Sequence, residues 1–185
     1  MPNRAIFMFD GPNFYKNLKR AHLVHYPLDY QKLAAKLAMN REVQAILYFT
    51  SPTDNQGEPE NYAAQQRFFA ALRRHNIQLK LGHLRKIEKD CPLCGRAFSL
   101  KVEKSVDVQL AIEIVLGAVQ DAWDTLYIAT CDSDMIPAIK YARSCGKKVF
   151  LMLPTGAPCY GVGQECDATI EISKEIILDC LADGA

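Results

Sequence analysis

Four aspartates in three separate segments are the residues of this chain whose type and spacing point to chemistry. Asp10 ends the apolar run AIFMFD and is followed by Gly11-Pro12-Asn13. Asp107 falls in the first turn of a helical pattern within KSVDVQLAIE, and Asp132 and Asp134 leave the run TLYIAT as Cys131-Asp132-Ser133-Asp134. Brought together, four carboxylates would repel one another, and some would take up protons. A hard divalent cation removes that conflict. Mg2+ or Mn2+ takes oxygen ligands, and Mg2+ is typically held by a few carboxylates, several waters and substrate phosphate. The chemistry of such a site is phosphodiester hydrolysis, in which the cation activates water and neutralises charge on the phosphorus oxygens. Each acid also has a plainer reading: Asp10, Asp132 and Asp134 can cap helices, and Asp107 can serve a helix dipole. Glu113 lies about 240° around and about 9 Å along a helix from Asp107, placed to act only through water.

These acids meet only if the elements between them bring their carboxyl ends to one edge. The pattern is a strand over 5–10, then helices over 13–22 and 30–39, the second with an N-cap at Asp29. A strand over 43–50 runs into the loop SPTDNQGEPE, a helix over 60–75 and an alternating strand over 77–84. Residues 86–101 read as an inserted hairpin or loop around CPLCG, followed by the longest helix, 103–120. The end of the chain gives a strand over 125–130, a helix over 134–145 stopped by Gly146, the strand KVFLMLP, the short run ATIEI and a closing helix over 174–181. Strand and helix alternate almost throughout, which predicts an α/β fold with a mostly parallel sheet covered by helices on both faces. In that architecture sites lie outside the carboxyl ends of the strands, where Asp10 and the Asp132/Asp134 pair fall.

At 185 residues the chain is long enough to bury a core as one domain, 1–185, without disulfide staples. Its start, MPNRAIFMFDG, offers about six apolar residues before an acid and a turn, too few for a signal-peptide core. No run approaches the roughly 20 residues needed to span a bilayer. A cytoplasmic protein with no membrane partner is expected, and seven cysteines, an odd number, fit reduced thiols there. The net charge of +1 conceals an asymmetry: residues 67–104 carry ten Lys/Arg against three acids, and residues 105–185 five against twelve. A basic block beside an acidic one suits a polyanion held by one part and metal chemistry in the other, although a solvated helix face and a charged hairpin would look the same. Candidate phosphate contacts are Lys16, Lys19 and Arg20, with Lys104 at the end of the block and Arg73, Arg74, Arg85 and Lys86 within it. Tyr15 could stack on a base, whereas Phe14 reads as core.

Cys91-Pro-Leu-Cys94-Gly95 has the spacing and the glycine of a zinc knuckle. It supplies two ligands where a structural Zn2+ wants four. His83 is one candidate partner, and the same turn of a second subunit, joining two copies in a homodimer, is another. A metal-free reduced turn and a redox pair remain open beside them. The glycines of residues 156–163 match neither phosphate-loop pattern, and Cys159 and Cys166 read as ordinary loop and core thiols.

Taken together, FDGPN, KSVDVQLAIE and TCDSDMIPAIKYARSCGKKV resemble the NYN domain, a PIN-like nuclease branch that includes LabA-type proteins. The resemblance covers about residues 5–172, with three motifs in the family's order. It implies a Rossmann-like fold in the PIN-type three-layer arrangement and metal-dependent ribonuclease activity on RNA, with the family's acidic positions on Asp10, Asp107, Asp132 and Asp134. The family's asparagine falls on Asn13, able to hydrogen-bond an acid or a metal-bound water, and Ser133 stands where its hydroxyl and amide can meet a phosphate oxygen. Cys131 departs from the glycine common there, but removes no carboxylate. No module for reading bases is visible, so single-stranded RNA with weak base preference is the expected substrate. Two rivals stand beside this reading: an RNA-binding or regulatory adaptor that keeps the pocket without cutting, and a small-molecule phosphohydrolase. The second is disfavoured by the size of the basic block and by the lack of an Asp-x-Asp nucleophile pattern after the first strand.

Overall fold

The computed structural model describes residues 3–53, 59–159 and 161–182. Strand β1 (Arg4–Asp10) runs straight into α1 (Gly11–Arg20), and Asp10 caps that helix by accepting from the Asn13 amide at 3.3 Å. Pro12 sits in the first turn, where a missing N–H costs nothing, so the helix begins two residues before Asn13. Helix α2 (Tyr30–Ala38) is capped by Asp29, as its sequence indicates. Strand β2 (Glu42–Thr50), helix α3 (Pro59–Arg74) and strand β3 (Gln78–Leu81) complete the first half. Of the loop expected between β2 and α3, residues 54–58 lie outside the described residues.

The stretch 77–84 is not one strand. It breaks at Gly82, after which β4 (His83–Asp90) pairs antiparallel with β5 (Ala97–Lys104) in a separate two-stranded hairpin. The insertion is therefore longer than residues 86–101, and Glu103 and Lys104 belong to β5 rather than to the following helix. Ser105, at φ 77°, turns the chain, and α4 (Val106–Val119) starts immediately after it. His83 pairs with Lys104 at the base of the hairpin. Cys91 lies beyond its far end, roughly 25 Å away at about 3.3 Å per residue. His83 is thus excluded as a partner of Cys91 and Cys94 around one metal ion.

The second half contains β6 (Thr125–Ala129), a short 3-10 turn over Ser133–Met135, α5 (Ile136–Ser144), β7 (Lys148–Pro154), α6 (Val162–Glu165), β8 (Ala168–Ile172) and α7 (Lys174–Asp179). The 3-10 turn splits off the start of the helix expected from Asp134, and α6 lies in a glycine-rich stretch that reads as loop. Six strands form one parallel sheet in the order β3-β2-β1-β6-β7-β8. Phe7 and Phe9 of β1 pack with α1, α2 and α7 on one face; Met8 packs with α4 and α5 on the other. This alternation is the strand period of two. The three-layer PIN-type sandwich implied by the motif resemblance is the architecture found. No helix among the described residues is long and apolar enough to cross a membrane.

Helix α4 is fixed against the sheet by Trp123, which is fully buried. A Cβ on Gly117 would collide with the Trp123 indole nitrogen, so the helix approaches this closely only with glycine there. Overpacking costs about 1–3 kcal/mol, and alanine recovers up to about 1 kcal/mol of helix propensity. Gly117→Ala is therefore expected to destabilise the fold by about 1–2 kcal/mol, read as a lower urea midpoint with unchanged slope. An unchanged midpoint would show that the indole can move aside.

Candidate active site

The strand order places a topological switch between β1 and β6: the chain builds outward from β1 to β3, returns beside β1 at β6, and builds outward again to β8. A crevice opens at the carboxyl ends of the strands flanking such a switch. Asp10 ends β1, Asp132 and Asp134 follow β6, and Asp107 opens α4 just past the base of the hairpin. Three segments thus deliver the four acids to one edge.

Their environments differ. Asp10 is 5% exposed and hydrogen-bonded through both oxygens, accepting from the Asn13 amide at 3.3 Å and the Thr130 hydroxyl at 2.7 Å. Burial pushes its carboxyl from the ordinary 3.8 up to about 6; the Asp107 and Asp132 charges add to the rise, while the two hydrogen bonds pull the other way. Asp107 is exposed, and its carboxyl is raised too, by desolvation at the foot of α4 and then by Asp132 and Asp134. Asp132 caps the 3-10 turn by accepting from the Asp134 amide at 2.9 Å. Asp10 and Asp132 therefore do serve as caps, and both also face other carboxylates.

Among the described residues none of the four is paired with a lysine or arginine. No three His, Cys, Asp or Glu side chains there are drawn closely enough to hold a metal ion between them. The acids form an electrostatically coupled edge, not a closed cage. An all-oxygen set lacking a cationic partner fits a divalent ion that keeps part of its water shell, as Mg2+ does.

Thr130 and Asn17 carry structural tasks at this edge that the sequence pattern did not reveal. Thr130 donates to Asp10 and accepts from the Asp132 amide at 3.1 Å, joining β1 to the acidic loop through one hydroxyl. Its only sequence signal is that it precedes the acidic turn. Asn13 meets an acid through its backbone amide, which donates to Asp10, while its side-chain carbonyl oxygen is taken up within the protein. That oxygen accepts from the Cys131 amide at 3.0 Å and from the Asn17 side chain at 3.1 Å. Asn17 is 3% exposed and also reaches the Cys131 sulfur at 3.4 Å. Burial, and after it the neighbouring Cys159, raise the Cys131 thiol pKa well above the ordinary range.

The other candidates separate. Ser133 is exposed on the 3-10 turn, between the two acids. Lys104 closes the hairpin three residues before Asp107. Lys16 lies midway along α1, whereas Lys19 and Arg20 lie at its far end, about 13–15 Å from Asp10 at 1.5 Å per residue. Those two are not gathered at the acidic edge. Tyr15 is 57% exposed and Phe14 is buried. Glu113 is bound by Lys80 instead of serving the site. A cavity of about 400 Å3, lined by Tyr15, Leu18, Tyr30, Tyr48, Phe68 and Ile77 among others, includes none of the four aspartates in its walls.

The model of the NYN domain family matches residues 4–173. None of the curated proteins matches the chain. Among solved structures, the chain is similar to a protein of unknown function from Vibrio parahaemolyticus RIMD 2210633. The TM-score is 0.67 at 15% sequence identity, over 98% of this chain and 97% of that one. At that identity the likeness is one of fold.

Proposed function

The chain belongs to the NYN domain family, a family of PIN-like nucleases, and on that premise we propose that it is a ribonuclease that hydrolyses phosphodiester bonds of single-stranded RNA with Mg2+ or Mn2+. The observation that carries the reading is the coupling of Asp10, Asp107, Asp132 and Asp134, unpaired with any lysine or arginine among the described residues, at the switch-point edge. These four would hold the ion, which when bound supplies activation of water and charge neutralisation at the scissile phosphate. Asp10, held by Thr130 and the Asn13 amide, gives the set one rigid member. Asn13 fixes the turn that carries Asp132 and Asp134 by accepting from the Cys131 amide. Lys104 and the arginines of the hairpin and α3 attract the phosphate backbone, so RNA affinity should fall steeply with salt. The proposal places the protein in the cytoplasm, where its seven free thiols stay reduced.

A second reading, an RNA-binding adaptor, is favoured by the absence of any close metal-holding triad among the described residues. One experiment separates the two. Purified protein is incubated with single-stranded RNA, duplex RNA and DNA in Mn2+ or in EDTA. Cleavage of single-stranded RNA is expected in Mn2+ alone and is expected to be lost in Asp132→Asn. Tight RNA binding in EDTA with no cleavage under any metal would establish the adaptor. Equal cleavage by wild type and variant would overturn the site.

A further inference from the structure

We propose that the CPLCG turn is half of a zinc site, and that a second copy of this chain supplies the other half, giving a homodimer joined by one Zn2+ on four thiolates.

The turn is already built as a knuckle. The Gly95 amide donates to the Cys91 carbonyl at 2.8 Å, the Cys91 amide donates to the Arg96 carbonyl at 3.0 Å, and Gly95 takes φ +67°, which closes the loop. Cys91 and Cys94 are thus separated by two residues in one closed turn, a spacing from which both sulfurs can reach a single metal ion. Cys94 is exposed and Leu93 is 96% exposed, so the half-site stands open.

The chain does not complete the site by itself. His83 is at the opposite end of the hairpin, and no group of three or more potential ligands occurs among the described residues. A second CPLCG turn supplies two more thiolates in a closed two-fold arrangement, where the same patch serves both partners. Zn2+ with four thiolates carries a net charge of −2, and Lys89 and Arg96 flank the turn in each copy. Glu88 and Asp90 offset those two cations, so the free tips are neutral and carry no net charge that would draw two copies together, and the dimer should exist only with metal. The hairpin also gains from a staple, because it pairs with no strand of the main sheet and an isolated two-stranded ribbon is marginal in water.

The test uses the whole chain without a histidine tag, measuring zinc by mass spectrometry and molar mass by light scattering. One zinc per two chains and a dimer are expected, with conversion to monomer on chelation and recovery on adding Zn2+. Cobalt(II) in place of zinc should give the absorption of a tetrahedral tetrathiolate centre. Cys91→Ser/Cys94→Ser should be monomeric and zinc-free with unchanged circular dichroism, whereas His83→Ala should keep both the metal and the dimer. One zinc per monomer, no zinc uptake by wild type, or a dimer that survives in the double serine variant would each overturn the proposal. RNA cleavage is scored separately, so the nuclease reading stands or falls independently.

Discussion

Asp10→Asn is expected to make the metal-free protein more stable at pH 7.5 while lowering RNA cleavage by roughly a thousandfold, the scale of losing a preorganised charge in a site. Both effects come from one carboxylate. Asp10 is nearly fully buried, near two other acids, and its carboxyl is raised from 3.8 to about 6. At 1.36 kcal/mol per pH unit, holding it ionised at neutral pH costs the fold about 3 kcal/mol. The sign follows from the direction: a carboxyl raised in the folded state imposes no cost below pH 3.8, a growing one up to about pH 6, and the full one above. Asparagine removes the charge but cannot accept from both the Asn13 amide and the Thr130 hydroxyl as the carboxylate does, which returns about 1 kcal/mol. The net gain of about 2 kcal/mol corresponds to a melting point higher by about 4–8 °C for a chain of this size. In EDTA the gap between variant and wild type should close as the pH is lowered toward 4. Added Mn2+ should raise the wild type and leave the variant unmoved. A variant less stable than wild type at pH 7.5 in EDTA would mean that the capping and Thr130 bonds, not the charge, dominate at this position.

Asp10 could be found because a strand, an acid and a Gly-Pro turn are consecutive, and each is a local signal. The six parallel strands were legible for the same reason, since their apolar runs are bounded by turn residues. What local patterns do not encode is pairing. The break at Gly82 is invisible in IQLKLGHL because alternation persists across it, yet β3 pairs with β2 on one side and β4 with β5 on the other. Glu103 and Lys104 fit either the end of a strand or the start of a helix, and the left-handed Ser105 decides between them. His83 lies eight residues before Cys91 in the chain, near enough in sequence to suggest a shared metal; an extended strand between them puts them at opposite ends. Thr130 was hidden because its importance lies in a bond to a residue 120 positions away.

Asn13 makes the same point through a predicted loss of both stability and activity. Its carbonyl oxygen accepts from the Cys131 amide and from Asn17, tying α1 to the loop that carries Asp132 and Asp134. Asn13→Ala removes that acceptor and leaves two donors unpaired, one on a side chain only 3% exposed. Each unsatisfied donor costs about 1–3 kcal/mol when buried. Because the bonds are part-buried, a total of about 2 kcal/mol is expected, with a melting point lower by about 4–8 °C. The turn it fixes also becomes free to shift. Supporting residues of this kind typically cost 10–100-fold in metal affinity or activity. The fall should appear in kcat and in the Mn2+ concentration needed for half-maximal rate, with KM for RNA little changed, because the Asn13 carbonyl oxygen is engaged by the Cys131 amide and Asn17. Asn13→Asp separates geometry from chemistry: it still accepts from both donors, so it should recover most of the lost stability, while its added charge beside the acids should raise the Mn2+ response. If Asn13→Ala keeps wild-type stability and Mn2+ dependence and changes only KM, Asn13 contacts the substrate, and the acidic turn is held by Thr130 alone.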